Sequence, residues 1–293
     1  MKFTNSKTSE IFLNNQRYFV KRDDLLHSDF SGNKARKFYY FLKNDLQGIE
    51  KIISHGSNQS NAMYSLSVLC KLKNLKFDYY VSHLPDILSK NPNGNYKEAV
   101  KNGMNLIIGE VPTSFQENEL FIAEGGAIKE ASFGIEILAN EIKSWAKEQN
   151  FEDKKLKIFL PSGTGTTALY LQKFLPFEVF TCSCVGDDEY LKKQFLDLEG
   201  KNHPKILKKE KKYHFGKLYI EFYLKHLEIL KQTNIEFDLL YDSLGWIVFE
   251  EFVKNLENKD DYIFLYIHQG GILGNKTMIE RYKFKFPNSL ESI

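Results

Sequence analysis

The chain has 293 residues, enough for two compact lobes or one large α/β domain. Lys+Arg number 40 against 38 Asp+Glu, so no field exists to hold a polyanion, and nucleic acid is not expected as a main partner. Phe and Tyr are plentiful, Gly and Pro are modest, and no stretch approaches ~20 consecutive apolar residues, which argues against long disordered regions and against a membrane-spanning helix. Three cysteines suggest no disulfide framework. Cys182 and Cys184 lie two apart on an expected strand, but no second Cys/His pair stands at ligand spacing, so no metal site is expected. The start, Met1 to Ser6, has no apolar run, and a cytoplasmic, reduced protein without a secretory leader is the expectation.

In chain order, residues 1–30 hold two strand-like pieces, Ile11 to Leu13 and Tyr18 to Lys21, followed by the acidic pair Asp23-Asp24. Ser31-Gly32-Asn33-Lys34-Ala35-Arg36-Lys37 comes next, with a helix running to about Asn44. Gly-Asn before a helical run is turn and cap chemistry, and it puts Lys34 in the first turn, where the helix dipole disfavours positive charge. Such a lysine loses its proton more easily, and more so if desolvated. Taken alone, these seven residues also read as a helix start with exposed cations.

A βα alternation begins at the strand Lys51 to Ser54. The loop His55 to Asn61 leads to a helix with Ala62, Leu66, Leu69 and Leu72 on one stripe. Phe77 to Val81 reads as a strand, Pro92 to Asn95 as a turn, and a short helix stops at Asn102-Gly103. Two further strands follow, at Leu106 to Ile108 and Phe121 to Ala123, before a long amphipathic helix carrying Ile135, Leu138, Ile142 and Trp145. Leu156 to Leu160 is a buried-type strand that meets Pro161-Ser162-Gly163-Thr164-Gly165-Thr166-Thr167 and a helix. Phe177 to Thr181 is another strand, and the lysine-rich run 205–212 reads as a solvated surface. A helix from Leu218 to about Lys231 precedes the run Phe237 to Asp242, with Tyr241-Asp242 expected near a strand end. The last strand, Tyr262 to Ile267, ends in His268-Gln269-Gly270-Gly271.

Strands alternating with helices imply parallel sheets covered on both faces, with ligands beyond the carboxyl ends of the strands. The expected division is a larger lobe from 1–49 and 148–293 and a smaller βα lobe from 50–147. Three polar, glycine-bearing loops fall at the ligand position: 54–61, 161–167 and 268–275.

In the loop 162–167, small residues let backbone N–H groups close on an anion, hydroxyls add donors, and the helix start favours negative charge. A phosphate is the natural guest. The loop lacks the lysine of a P-loop and the third glycine of a dinucleotide fingerprint. A tight glycine turn capped by threonine is the plain alternative. Gln59-Ser60-Asn61 offers a polar cradle for a carboxylate, although Ser60 and Asn61 are also ordinary cap residues. His268 reads first as a satisfied core histidine. An activated lysine, a phosphate nest, a carboxylate-binding turn and an acidic partner for a ring nitrogen together match the needs of pyridoxal phosphate.

With these motifs in order, the chain resembles the 1-aminocyclopropane-1-carboxylate deaminase / D-cysteine desulfhydrase family. Those are pyridoxal-phosphate enzymes of fold type II, the tryptophan synthase β-like fold. The resemblance rests on Lys21-Arg22-Asp23-Asp24, Ser31 to Lys37, Gln59-Ser60-Asn61, the Ser/Gly/Thr loop, Tyr241-Asp242 and His268-x-Gly-Gly, and spans about residues 17–275. It implies two open parallel-sheet lobes with helices on both faces, and it implies roles position by position. Lys34 would be the Schiff-base lysine. Lys37 would reach the cofactor phosphate with Gly163, Thr164, Gly165, Thr166 and Thr167. Asn61 would bond the ring hydroxyl and Asp242 would face the pyridine nitrogen. Ser60 would hold the substrate carboxylate or act beside the lysine, with Gln59 and Asn61 nearby. Tyr241 would border the substrate.

Several positions depart from the family's pattern. Phe215-Gly216 stands where the deaminases carry Tyr-Gly, so the hydroxyl that helps open a cyclopropane is missing. Asp242 replaces the deaminases' glutamate, Ala62 stands where they have glutamine, and Gly56-Ser57 replaces two glycines. The expected activity is β-elimination from a small amino acid, as in a D-cysteine desulfhydrase, giving a 2-oxo acid and ammonia. Cyclopropane-carboxylate deamination, non-catalytic cofactor binding and simple phosphate binding are the alternatives. A homodimer is implied by the resemblance alone.

Overall fold

The computed structural model describes residues 3–151 and 155–287; residues 1–2, 152–154 and 288–293 of the expected lobes lie outside the described residues. The chain opens with a hairpin of β1 (Thr8–Leu13) and β2 (Gln16–Arg22), then α1 (Gly32–Lys43). A second group follows: β3 (Lys51–His55), α2 (Asn61–Lys73), β4 (Lys76–Val81), α3 (Asp86–Lys90), α4 (Gly94–Lys101), β5 (Met104–Ile108) and β6 (Glu119–Ile122). After α5 (Ala131–Glu148) come β7 (Leu156–Ser162), α6 (Thr166–Phe174), β8 (Glu178–Ser183), α7 (Asp188–Leu198) and β9 (Lys205–Ile206). The chain closes with α8 (Ile220–Thr233), α9 (Asp242–Lys254), β10 (Ile263–His268) and α10 (Asn275–Lys285).

Two sheets result. One has the order β1-β2-β10-β7-β8-β9, the other β5-β4-β3-β6. Every pairing is parallel except β1 with β2. The α/β architecture with two parallel-rich sheets is therefore as expected. β7 is buried along its whole length, as a central parallel strand must be. Alternation along β10 serves both faces of its sheet. Phe264 and Tyr266 pack with Trp246 and Phe249 of α9, while Leu265 and Ile267 pack with Ile135 and Leu138 of α5.

Helix packing cuts across the expected boundaries at 49/50 and 147/148. Phe38 and Phe41 of α1 join the core of the smaller sheet, with Ile52, Leu66 and Tyr79. Ile135, Leu138 and Ile142 of α5 join the core of the larger one. The two helices cross at Gly134, where a Cβ would overlap the carbonyl of Arg36. Beneath this crossing lies a buried ion cluster. Arg36 reaches Asp23 at 2.8 Å and Glu141 at 2.7 Å, and Lys21 reaches Glu141 at 2.8 Å. The cluster ties β2, α1 and α5 together. Sequence order assigns each helix to its nearest strands; apolar faces and this cluster decide where they pack.

Other local differences have clear causes. Gly94 and Asn95 lie inside α4 rather than in the turn before it. Leu72 is exposed and leaves the stripe of α2. Residues 237–241 form no strand, because side chains serve their backbone groups. The Phe237 carbonyl accepts from His226 and from Asn275 Nδ2, and Asp238 Oδ1 accepts from the N–H groups of Leu240 and Tyr241. The lysine run folds back along the sheet edge through β9. Lys205 pairs with Glu178 and Lys211 with Glu221, while Lys209 donates to Ser183 and is half-buried.

Candidate active site

The loops after β3, β7 and β10 converge on one cavity of about 1240 Å³ at the carboxyl ends of their strands. The lysine turn forms its wall. Ser31 is the N-cap of α1 without a side-chain cap bond, so Gly32 and Asn33 belong to the first turn rather than preceding it. Gly32 has φ +66°, and a Cβ there would overlap the carbonyl oxygen of Gln269. Asn33 donates from its backbone to that carbonyl (3.0 Å) and from Nδ2 to Gln269 Oε1 (2.9 Å). Gln269 Nε2 donates in turn to Pro161 O at 2.7 Å. The turn is thereby fastened to the ends of both β10 and β7.

Lys34 is half-buried and opens onto the cavity. Among the described residues its amine makes no hydrogen bond or ion pair. Desolvation pulls its pKa down to about 8, against the opposing charge of Asp238. One turn along, Lys37 Nζ donates to Gly125 O (2.9 Å) and Thr164 Oγ1 (3.2 Å). Burial, and then the charge of Lys34, hold the Lys37 amine well below the usual lysine range. Two desolvated lysines on one helix face form a site that an anion would relieve.

The loop 162–167 supplies the matching surface. Ser162 Oγ lies 2.6 Å from Thr181 Oγ1, which fixes the end of β7 against β8. Thr164 and Thr166 hydroxyls are 3.1 Å apart. Thr167 Oγ1 is buried with no hydrogen-bond partner. The N-cap of α6 is Gly165, which has no side chain to cap the first-turn N–H groups, so these remain available to an anion. Gly163 faces the ring of Tyr241.

Two carboxylates stand at the base. Asp242 Oδ1 accepts from the Tyr266 hydroxyl (2.8 Å) and Oδ2 accepts from Asp238 N (3.2 Å). Burial, reinforced by the charge of Asp238, pushes the Asp242 carboxyl well above the usual range. Asp238 is pushed up to about 7 by burial, against its backbone hydrogen bonds and the charge of Lys34. Sequence reasoning passes over Asp238; its spacing four residues before Asp242 is the available signal.

On the opposite wall, Ser60 is the N-cap of α2 and accepts from Ala62 N (3.1 Å) and Met63 N (3.5 Å). Asn61 Oδ1 accepts from Asn95 Nδ2 at 2.8 Å. Asn95 escapes sequence reasoning because its Gly-Asn context reads as a turn. Gln59 lines the cavity, but its amide is held by α4: Nε2 donates to Asn93 Oδ1 (3.1 Å) and Oε1 accepts from Tyr96 N (3.3 Å). At the mouth, Phe215 is 43% exposed, and its ring centroid lies 5.3 Å from that of Tyr241.

Every residue expected at the site therefore borders this one cavity. His268 lies outside it as a core histidine. Nε2 donates to Glu236 O (2.8 Å), Nδ1 accepts from Gly270 N (3.1 Å), and the ring stacks on Phe237.

No protein-family model matches the sequence, and no curated protein matches it. Solved structures do. An ACC deaminase homologue aligns over 100% of this chain and 95% of its own, with a TM-score of 0.73 at 20% identity. A threonine deaminase from T.th. aligns over 92% of each chain, with a TM-score of 0.64 at 11% identity. A hydrogen sulfide-producing enzyme from Fusobacterium nucleatum aligns over 92% of this chain and 93% of its own, with a TM-score of 0.64 at 13% identity. The fold is shared with these proteins. No helix among the described residues is long and apolar enough to cross a membrane.

Proposed function

We propose that this chain is a pyridoxal-phosphate-dependent lyase that eliminates a β-substituent from a small amino acid, releasing a 2-oxo acid and ammonia. One observation carries the reading: a desolvated lysine, with its pKa drawn down to about 8, opens onto the same cavity as an uncapped helix start rich in hydroxyls. The residues present fit the cofactor. Thr167 Oγ1 is a buried hydroxyl awaiting an acceptor or donor, and Lys37 already points at Thr164.

When bound, the cofactor supplies an aldehyde that captures an amine and a ring that draws negative charge away from the substrate's α-carbon. Lys34 would be the amine that holds it, and the Lys34 Nζ would be the base for the α-proton. Lys37, Gly163, Thr164, Gly165, Thr166 and Thr167 would hold the phosphate. Asn61 would donate to the ring's hydroxyl oxygen. Asp242, with its raised proton affinity, would share a hydrogen bond with the ring nitrogen. The Ser60 hydroxyl, held at the start of α2 by Ala62 N and Met63 N, would donate to the substrate carboxylate, and Tyr241 would cover it. Phe215 brings no hydroxyl to the mouth, so β-elimination fits better than cyclopropane opening. The fold likeness to an ACC deaminase homologue keeps that opening as the second reading.

The test is a panel of D- and L-amino acids, with ammonia, sulfide and 2-oxo acid measured together. Release of sulfide and 2-oxo acid from cysteine of one hand is the expected result. Absence of ammonia from every substrate would leave only cofactor binding.

A further inference from the structure

Asn95 stands behind Asn61 in the cavity wall. It is 1% exposed, borders the cavity, and belongs to α4 rather than to any of the three site loops. Its Nδ2 donates to the backbone carbonyl of Gln59 (2.9 Å) and to Asn61 Oδ1 (2.8 Å). Its Oδ1 is buried without a hydrogen-bond partner.

These contacts fix the polarity of two amides. A backbone carbonyl can only accept, so the end of Asn95 facing Gln59 must be the NH₂ group. That NH₂ also faces Asn61, so Asn61 must present its oxygen there. Asn61 Nδ2 is consequently turned the other way, to within 2.6 Å of the point a Cβ on Gly271 would occupy. Asp238 Oδ2 lies 3.2 Å from the same point. Among the described residues Asn61 Nδ2 makes no hydrogen bond. One carbonyl thus sets Asn95, and Asn95 sets which way the Asn61 amide faces in the cavity wall.

We propose that Asn95 is a positioning residue that holds Asn61 as a hydrogen-bond donor toward an anionic or hydroxyl oxygen of the bound ligand, in the present reading the cofactor's ring oxygen. This rests on the cofactor assignment above. Asn61 alone could rotate its amide and offer oxygen to oxygen, which repels. With Asn95 in place that orientation loses its partner.

The test titrates apo-protein with pyridoxal phosphate and follows the visible band and the dissociation constant. Asn95→Asp keeps the shape but turns an acceptor toward Asn61, inviting the amide to reverse. The expected result is a roughly tenfold weaker cofactor affinity with a changed visible band, the scale of one lost hydrogen bond. Lys97→Ala, on the exposed face of α4 and away from the cavity, leaves both as in the wild type. In an Asn61→Ala background, Asn95→Asp has no further effect, because Asn95 acts through Asn61. Should Asn95→Asp fold poorly, Asn95→Ala is read in the same two backgrounds. An unchanged band and affinity in the Asn95 variant, or an equal effect with Asn61 removed, overturns the inference while leaving the cofactor assignment intact. A wild-type protein that shows no visible band with pyridoxal phosphate overturns both.

Discussion

The floor and the mouth of the cavity are built by different rules. At the floor, polar groups are buried and partnered: Lys37 on Thr164, Asp242 on Tyr266, and Asp238 on the N–H groups of Leu240 and Tyr241. At the mouth, large apolar side chains face water: Phe284 is 91% exposed, Ile87 75% and Phe215 43%. Buried polar groups must be matched to something, so the floor is committed to one ligand chemistry. Exposed apolar groups commit to little, so the mouth is where substrate choice can vary without rebuilding the fold.

This contrast sets the order of expected effects. With Lys34 as the proposed point of attachment, Lys34→Ala should abolish both the visible absorbance and the turnover; the check is a spectrum with cofactor added and an ammonia assay. Arg36→Ala leaves Asp23 and Glu141 buried beside an empty site. A loss of about 3 kcal/mol in unfolding free energy is expected, measured by denaturant titration. Lys37→Met removes an amine donor from the loop 162–167 and should weaken cofactor binding by roughly tenfold, while folding is retained. Phe215→Leu, at the mouth, should change substrate KM by only a few-fold and leave cofactor affinity alone. An equal loss of cofactor affinity in the Lys37 and Phe215 variants would erase the distinction between floor and mouth.

A pH dependence sharpens the same point. Burial lowers the Lys34 pKa to about 8, so its amine is mostly protonated below that pH and neutral above it. The rate of cofactor capture by apo-protein should therefore rise through about pH 8 and level off. On the stability side, a lowered lysine pKa means that the unfolded chain binds the proton more tightly. Its contribution to stability increases as pH rises from about 8 toward the ordinary lysine value of 10.5.

The βα alternation makes the architecture legible, and the loops 54–61, 161–167 and 268–275 all reach the cavity. Their signals are local: glycine, hydroxyl and cap residues at strand-to-helix junctions. What is not legible depends on contacts between distant segments. The apolar faces of α1 and α5 place them in different cores, and the two helices meet where Gly134 lies against Arg36, about a hundred residues apart in sequence. Residues 237–241 read as a strand end because their apolar run resembles one, yet His226 and Asn275 occupy the Phe237 carbonyl. Asp238 and Asn95 carry no motif, and their importance comes from what they touch.

The most direct measurement is borohydride reduction of the cofactor-loaded protein followed by peptide mass mapping. A reduced pyridoxyl adduct on the peptide carrying Lys34 is the predicted result. An adduct confined to another lysine, or none at all, would contradict the assignment of this cavity.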